Sequence, residues 1–313
     1  MKKMFALILS VLMVLSMVAC GNSSDAPKTM KVAIVQQLDH SSLDEIRMAI
    51  EAEFDTTNYE IKVFNGQNDA SVMNQIGTEI VSEEYDLIIA IATTAAQIMV
   101  TAADGQIPVV YAAVSDPVGS GLADIVGTSD ALNTPFILDM MFAADSDIQT
   151  VGLLYSNSEP NSLKPIAEAK EYLDAKGIAY IEKTGNTPGE IIEAASALVG
   201  RCDAVFTPTD NAVMAAESSV AEILNNAGIP HYAGADSFVQ AGAFATCGVN
   251  YTELGTYTAN MAMDILLGGE VPEYHVMDGG IITVNTETAA ALGLDYSAFS
   301  SMANTVKEVA TAE

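Results

Sequence analysis

The chain alternates short apolar segments with longer segments of helical periodicity, and this alternation limits the fold more than any other feature. The predicted strand 86–91 is apolar at every position but its first, as a strand of a parallel sheet buried on both faces requires. Thr93 and Thr94 follow and are suitable residues to begin a helix over 95–103. A second apolar strand at 107–114 completes the βαβ unit from which parallel sheets are built.

This alternation runs through two halves of similar size. Strands are predicted at 30–35, 59–64, 86–91, 107–114 and 125–128 in the first half, and at 150–155, 179–183, 204–207, 231–233 and 243–249 in the second. The halves meet near Ser129–Phe136, where Asn133, Thr134 and Pro135 interrupt the pattern. A helix over 253–267 and a tail with a strand at 281–284 follow. The predicted fold class is α/β, with two doubly wound parallel-sheet lobes.

The N-terminus has the features of an export signal. Residues 1–19 combine two lysines with an apolar run that is at the low end for a membrane span. The small residue before Cys20 and the small polar residues after it resemble a bacterial lipobox, although Met17 stands where Leu is usual. The resemblance implies a lipoprotein signal peptide over 1–19, lipidation of Cys20, a tether over 20–28 and a body outside the cytoplasm, anchored to the cell membrane. A plain secretory signal and a short N-terminal anchor are the alternatives.

The charge balance limits the partners of the chain. The sequence has 12 basic and 41 acidic residues, which gives a formal net charge of −29. A surface this acidic repels phosphate backbones, so nucleic acid is not an expected partner. The chain also lacks a polybasic segment that would bind anionic lipid.

The residues that most often carry chemistry are few and scattered. His40, His231 and His275 are far apart in sequence and form no metal-binding motif. Cys202 and Cys247 either pair in an oxidising compartment or remain separate buried thiols, and their spacing does not suggest zinc. The chain has neither the nucleophile elbow of a hydrolase nor a phosphate-binding loop. We therefore expect no enzyme activity, no metal and no cofactor.

Polar loops follow the predicted strands. They lie at 36–40, 92–94, 115–117, 156–161, 208–211 and 234–236, and they contain hydroxyl, amide and carboxylate groups without lysine or arginine. Ligands of open α/β sheets bind at the carboxyl ends of strands, beside helix N-termini. These loops suit a zwitterion, with Asp116, Asp210 or Asp236 holding an ammonium group. For each loop taken alone, turn formation and helix capping are the alternative. His40 either lines the site or makes a capping or hinge hydrogen bond.

Several longer sequence segments resemble segments of one protein family. They are 32–36 with 39–40 and 43–44, 91–97, 107–119, 155 with 158–159 and 161–162, 208–211, and 248–255. Together these strings resemble the ABC-transporter substrate-binding lipoproteins of the tryptophan/tyrosine type, over about residues 30–293. Ser-Asp-Pro-Val-Gly at 115–119 and Pro-Thr-Asp-Asn at 208–211 are specific in combination.

The resemblance implies a periplasmic-binding-protein type I-like fold in which the chain crosses three times between the lobes. By analogy, the N-lobe comprises 29–130 plus 251–270, and the C-lobe comprises 131–250 plus 271–313. The ligand would lie in a cleft between the lobes, which close on it by a hinge motion.

Ligand contacts are also implied by position in the family strings. They are Gln36, Thr93, Thr94, Ser115 and Asp116 in the N-lobe, and Glu159, Asn161, Asp210 and Asn211 in the C-lobe; His40 and Asp236 join them from their loops. Asp210 is the expected ammonium partner, and Thr93 with Thr94 the expected carboxylate site. Thr94 and Ser41 stand where the family usually has Pro, and the chain has no Trp, so any aromatic stacking must come from Tyr, Phe or His.

The implied function is that of a solute-binding component of an ABC importer. A monomer would bind a small amino acid-like ligand, with an aromatic or hydrophobic amino acid expected, and would deliver it to a membrane permease. A ligand sensor of the same fold without a permease, and a secreted hydrolase, are the alternatives.

Overall fold

The computed structural model describes residues 29–269 and 273–312. The predicted signal peptide, the predicted lipidation of Cys20 and the whole tether lie outside these residues and remain predictions. Within the described ranges, no helix combines the length and the apolar run needed to cross a membrane.

The first part of the chain forms strands and helices in alternation. They are β1 (Met30–Gln36), α1 (Ser41–Glu53), β2 (Tyr59–Asn65), α2 (Ala70–Ser82), β3 (Leu87–Ile91), α3 (Thr93–Ala103), β4 (Val109–Ala112) and β5 (Gly127–Ser129). The middle part comprises α4 (Thr134–Ala144), β6 (Thr150–Tyr155), α5 (Pro160–Lys176), β7 (Ala179–Thr184), α6 (Pro188–Ser196), β8 (Ala204–Thr207), α7 (Asn211–Met214), α8 (Glu217–Asn226), β9 (His231–Ala233), α9 (Asp236–Gln240) and β10 (Ala245–Gly248). The last part contains α10 (Tyr251–Leu266), β11 (Tyr274–Val276), β12 (Ile281–Asn285), α11 (Thr286–Leu292), α12 (Phe299–Met302) and β13 (Thr305–Val309).

Two sheets organise these elements in the described residues. The first has the strand order β11-β5-β4-β3-β1-β2, and its neighbouring strands are parallel. The second has the order β13-β12-β10-β9-β8-β6-β7 and is parallel except between β10 and β12. All five residues of β3 are fully buried, as its apolar sequence predicts. The prediction of two doubly wound α/β lobes is confirmed.

The chain passes between the two sheets at 130–133, at 249–250 and at 277–280. Helix α10 returns to the first lobe and packs closely on α1. A Cβ atom at Gly255 would lie 2.6 Å from the Ile46 carbonyl oxygen, so only glycine allows this approach. The prediction assigned 271–313 to the C-lobe, and this is wrong for β11. Tyr274–Val276 pairs with Gly127–Ser129 at the edge of the first sheet, so the N-lobe segment extends to 276.

The structure defines the role of the Asn133-Thr134-Pro135 string and decides between the two alternatives for Cys202 and Cys247. The Asn133-Thr134-Pro135 string does more than interrupt the pattern, because the Asn133 side chain accepts a hydrogen bond from the amide of Phe136 and caps α4. Cys202 and Cys247 are both buried and unpaired, so the chain carries two separate thiols.

Candidate functional site

A cleft between the lobes lies at the carboxyl ends of the central strands. Loops after β1, β3, β4 and β5 line one wall, and the start of α5 with the loops after β8 and β9 lines the other. The lining residues are His40, Ser42, Leu43, Ala92, Thr93, Ala113, Ser115, Asp130, Asn161, Thr209, Asp210, Asn211, Met214, Ala235, Phe238 and Tyr251. The cavity measures about 20 Å³, enough for one water molecule, so entry of a larger ligand requires the lobes to separate.

Hydrogen bonds join the lobes across this cleft. His40 Nε2 lies 3.0 Å from Asn211 Oδ1. The hydroxyls of Ser115 and Thr209 lie 3.1 Å apart. A third contact joins the hydroxyls of Ser42 and Ser237. These contacts hold the two walls together in a closed arrangement.

Helix α3 begins in the cleft and offers an anion site. Thr93, its first residue, is 1% exposed, and its hydroxyl oxygen has no hydrogen-bond partner among the described residues. The preceding Ala92 has a φ of 79°, and Ala113 after β4 has a φ of 56°. This conformation is costly for alanine and is typical of functional sites. The free hydroxyl and the helix N-terminus together suit a carboxylate.

Asp210 lies at the cleft, but its hydrogen bonds stay within the C-lobe. Its Oδ2 accepts one hydrogen bond from the backbone amide of Ser156 and one from the hydroxyl of Ser162, both at 2.6 Å. Its Oδ1 accepts from the amide of Val213 at 3.0 Å and caps α7. Burial raises the pKa of Asp210. Helix capping, the alternative considered for this loop, accounts for the Val213 contact, and the two serine contacts join Asp210 to α5 and the loop before it.

Glu159 caps the same short helix from the start of α5. Its Oε1 accepts from the amide of Ala212 at 3.1 Å, and its Oε2 accepts from the amide of Asn211 at 3.0 Å. Burial, with the charge of Asp210 as a second cause, raises the pKa of Glu159 to about 7. Glu159 lies behind the lining and holds Asn161 and Asn211, which do line the cleft.

A third buried carboxylate, Asp130, was missed by sequence reasoning. It is 4% exposed, and it accepts hydrogen bonds from Ser115 Oγ at 2.8 Å and from Tyr251 Oη at 3.1 Å. Burial raises the pKa of Asp130. Each of its oxygens accepts one of these bonds, which leaves acceptor capacity on a residue that lines the cleft. The available signal was its position shortly after the predicted strand 125–128, at the carboxyl end where ligands of such sheets bind.

Besides Glu159, four residues expected at the site do not line the cavity. Gln36 bonds instead to the Leu38 carbonyl, Asp39, Asp44 and Arg47 within the N-lobe. Asp116 accepts from the amide of Gly119 and stabilises a turn. Asp236 faces Lys307 at 3.5 Å. Thr94, the second residue of α3, is half-buried beside the cavity rather than in its lining.

His231 takes part in a buried network that resembles a catalytic triad in its connections. Its ring nitrogens lie 2.9 Å from Glu217 Oε1 and 2.8 Å from Thr207 Oγ1. All three side chains are at most 1% exposed, so no substrate reaches the Thr207 hydroxyl in this arrangement. Among the described residues, no cluster of three or more His, Cys, Asp or Glu side chains is placed to hold a metal ion.

Comparison with known proteins gives a consistent result. The family model described as "ABC transporter substrate binding protein" matches residues 31–307. A protein named "Tyrosine-binding protein" from Clostridioides difficile is 31% identical over 290 residues, which cover 88% of this chain and 84% of that protein.

Two solved structures differ in their similarity to this one. The ABC domain from Streptococcus pneumoniae in complex with L-Trp has a TM-score of 0.82 at 26% identity, covering 89% of this chain and 100% of that one. The ligand-free, open structure of a substrate-binding protein with adhesive properties from Clostridium difficile has a TM-score of 0.65 at 32% identity, covering 90% and 100%. The lower score at higher identity is what a different lobe arrangement would produce, in agreement with the closed cleft.

The family model covers most of the chain, and the two lobes of the chain have the fold of these solved relatives. The chain belongs to the family of ABC transporter substrate-binding proteins.

Proposed function

We propose that this chain is the extracytoplasmic, lipid-anchored ligand-binding component of an ABC importer, and that it binds an amino acid as a zwitterion between its lobes. The observation that carries the proposal is the pairing of a helix N-terminus and the free Thr93 hydroxyl with the buried carboxylate of Asp130 in one cleft. No lysine or arginine is among the described residues that line this cleft. The protein would do no covalent chemistry.

The ligand carboxylate is assigned to the start of α3. The amide of Ala96 already bonds to the Ala92 carbonyl, but the first amides of a helix have no partner within the helix. The Thr93 hydroxyl adds a donor beside them. A carboxylate held by helix amides and a hydroxyl needs no lysine or arginine.

The ligand ammonium is assigned first to Asp130. This carboxylate is buried, faces the cleft and lacks a cationic partner among the described residues. A bound ammonium would offset the cost of burying its charge. Asp210, which the sequence favoured, adds negative charge on the opposite wall, but its oxygens already accept three hydrogen bonds.

The apolar lining is assigned to the ligand side chain. It comprises Leu43, Met214, Phe238 and the ring of Tyr251, together with small alanines. This wall suits an aromatic or other hydrophobic side chain. The names of the relatives, one for tyrosine and one in complex with L-Trp, support an aromatic amino acid.

The proposed transport cycle uses lobe closure. A monomer tethered through Cys20 opens, binds the ligand and closes as the ligand bridges the walls, since differential affinity favours the closed form. The closed form then docks on a membrane permease. The contacts of His40, Ser42 and Ser115 with the C-lobe would break each time the lobes part.

The proposal is tested by measuring the melting temperature of the chain from Gly21 onward against amino acids, sugars and dipeptides. At 100 times its Kd, a ligand adds about 2.7 kcal/mol of stability. We expect L-tyrosine or L-tryptophan to raise the melting temperature. Tyramine, which lacks the carboxylate, and 3-(4-hydroxyphenyl)propionate, which lacks the ammonium, should have little effect. A response to sugars alone would overturn the ligand class, and equal responses to tyrosine and tyramine would overturn the carboxylate site.

A further inference from the structure

A line of three side chains, Glu159, Asn211 and His40, leads from the start of α5 to the cleft. It begins at Glu159, whose two oxygens accept backbone amide hydrogens from Asn211 and Ala212. A backbone amide can only donate, so both oxygens serve as acceptors here. The side-chain amide of Asn211 lies 2.8 Å from Oε2 of the same carboxylate. The ionised carboxylate can only accept, so Asn211 presents its nitrogen to Glu159.

This orientation determines which nitrogen of His40 carries the proton. Since Asn211 turns Nδ2 toward Glu159, its Oδ1 faces His40 Nε2 at 3.0 Å. An oxygen acceptor requires a donor, so Nε2 is protonated. Burial lowers the pKa of His40, which keeps the ring neutral. In a neutral imidazole with a proton on Nε2, Nδ1 is a hydrogen-bond acceptor.

The acceptor at Nδ1 is unused within the protein. Nδ1 is buried and has no hydrogen-bond partner among the described residues, and His40 lines the cleft. Leu43 follows His40 by three residues and Met214 follows Asn211 by three residues, and both also line the cleft. This lone acceptor therefore belongs to a residue of a partly apolar lining, where a buried acceptor without a donor is costly.

Glu159 orients a second amide in the same way. Asn161 donates from Nδ2 to Glu159 Oε2 at 3.0 Å and to the Thr209 carbonyl at 2.8 Å. Its Oδ1 is buried and has no partner among the described residues. One carboxylate behind the lining thus fixes two unpartnered acceptors on residues that line the cleft.

We propose that His40 accepts, at Nδ1, a hydrogen bond from a donor on the ligand's aromatic side chain, a phenol O–H or an indole N–H. Glu159 is the positioning residue that fixes this acceptor through Asn211. The inference rests on the proposed function and narrows it from hydrophobic amino acids to aromatic ones that carry a ring donor. The ligand ammonium is a weaker candidate for Nδ1, because Asp130 offers it a charged acceptor.

The first test is the preference for L-tyrosine over L-phenylalanine, two ligands that differ by one hydroxyl. We expect the wild-type Kd for phenylalanine to exceed that for tyrosine about tenfold or more, and His40→Leu to bring the ratio close to one. If His40 only holds the lobes together, the variant weakens both ligands equally and the ratio is unchanged, which would overturn the inference. His275→Leu, which removes a ring stacked on Tyr257 outside the cleft, is the control.

The second test observes the tautomer directly in the ligand-free protein by nitrogen NMR of the imidazole rings. We expect a proton on Nε2 of His40 in the wild type. Glu159→Gln allows the Asn211 amide to flip, so the Nδ1–H form should appear and the tyrosine preference should fall. A proton on Nδ1 in the wild type, or an unchanged tautomer and preference in the variant, would overturn the role of Glu159. Glu182→Gln, at an acidic residue paired with Lys170, is the control.

The inference about His40 and the proposed function on which it rests would be contradicted by different results. If the wild type binds tyrosine and phenylalanine equally well, the inference is wrong and the proposed function stands. If it binds only non-aromatic amino acids, the inference is wrong and the proposed function stands. If it binds no amino acid, both are wrong.

Discussion

The hydroxyl of Tyr251 donates a hydrogen bond to Oδ2 of Asp130 at 3.1 Å. Asp130 begins the first crossover between the lobes, and Tyr251 is the first residue after the second. The contact therefore fixes the buried carboxylate between two of the segments that must move when the cleft opens. The position of the proposed ammonium site is tied in this way to the hinge.

Replacing Asp130 with Asn should weaken the binding of L-tyrosine by about tenfold to a hundredfold, since hydrogen bonds to charged groups contribute about 1.5–3 kcal/mol. Isothermal titration calorimetry measures this loss. The ligand-free protein should not lose stability at pH 7, because burial raises the pKa of Asp130 and its charged form is unfavourable there. Asp116→Asn is the matched control, as Asp116 stabilises a turn outside the cavity. A larger loss of affinity in the control would contradict the assignment.

Removing the hydroxyl of Ser42 should shift the ligand-free protein toward an open arrangement. The Ser42 and Ser237 hydroxyls, which are both buried, bond to each other across the cleft, and a bond of this kind contributes about 1 kcal/mol. Ser42→Ala should therefore raise the open-to-closed ratio about fivefold, visible as a larger radius of gyration in small-angle X-ray scattering. Ser300→Ala, on the C-lobe surface, should leave the radius unchanged. An unchanged radius in Ser42→Ala would show that this contact does not favour closure.

The stability of the ligand-free protein should rise on acidification from pH 7.5 to 5.5 because of Glu159. Its pKa is about 7 in the folded chain, against a usual value of 4.5. The folded state therefore binds a proton that the unfolded state releases, and the stabilisation is lost as the pH rises through 7. We expect the wild type to gain about 1–2 kcal/mol relative to Glu159→Gln over this interval.

Urea unfolding at the two pH values measures this difference. Making the comparison in a His40→Leu background removes the contribution of His40, whose lowered pKa acts in the opposite direction. Equal pH dependence in the wild type and in Glu159→Gln would refute the assignment of the shift to Glu159.

The sequence allowed prediction of the residues that lie where long buried strands end. Thr93, Ser115, Asn161, Asp210 and Asn211 line the cleft as expected, because the apolar strands before them mark the carboxyl edge of each sheet. The contacts of a side chain are not encoded in this pattern. Asp210 lies at the predicted place, but whether its oxygens face a ligand or cap a helix depends on Ser156, Ser162 and Val213.

Short elements account for the residues that were missed or misplaced. Strand β5 has three residues, too few to show a clear alternation, so Asp130 was assigned to an interlobe break. Strand β11 is equally short and half-exposed, and its sequence did not predict a strand.

Gln36 was misplaced for a different reason. It ends a long strand that was predicted, but its side chain bonds to Asp44 and Arg47 of α1 and does not reach the cavity.

The buried pair of His231 and Glu217 should contribute to stability and not to any reaction. His231→Leu leaves the Glu217 carboxyl group buried without its hydrogen-bond partner at 2.9 Å, and the expected loss is about 1–3 kcal/mol. Changing Glu217 to Met as well should restore much of it, since apolar residues of similar size often replace a buried pair without loss. Urea unfolding of the two variants measures both effects. If the double variant is no more stable than His231→Leu, the loss comes from packing or from the missing hydrogen bond to Thr207. The isolated carboxyl group of Glu217 would then not be its cause.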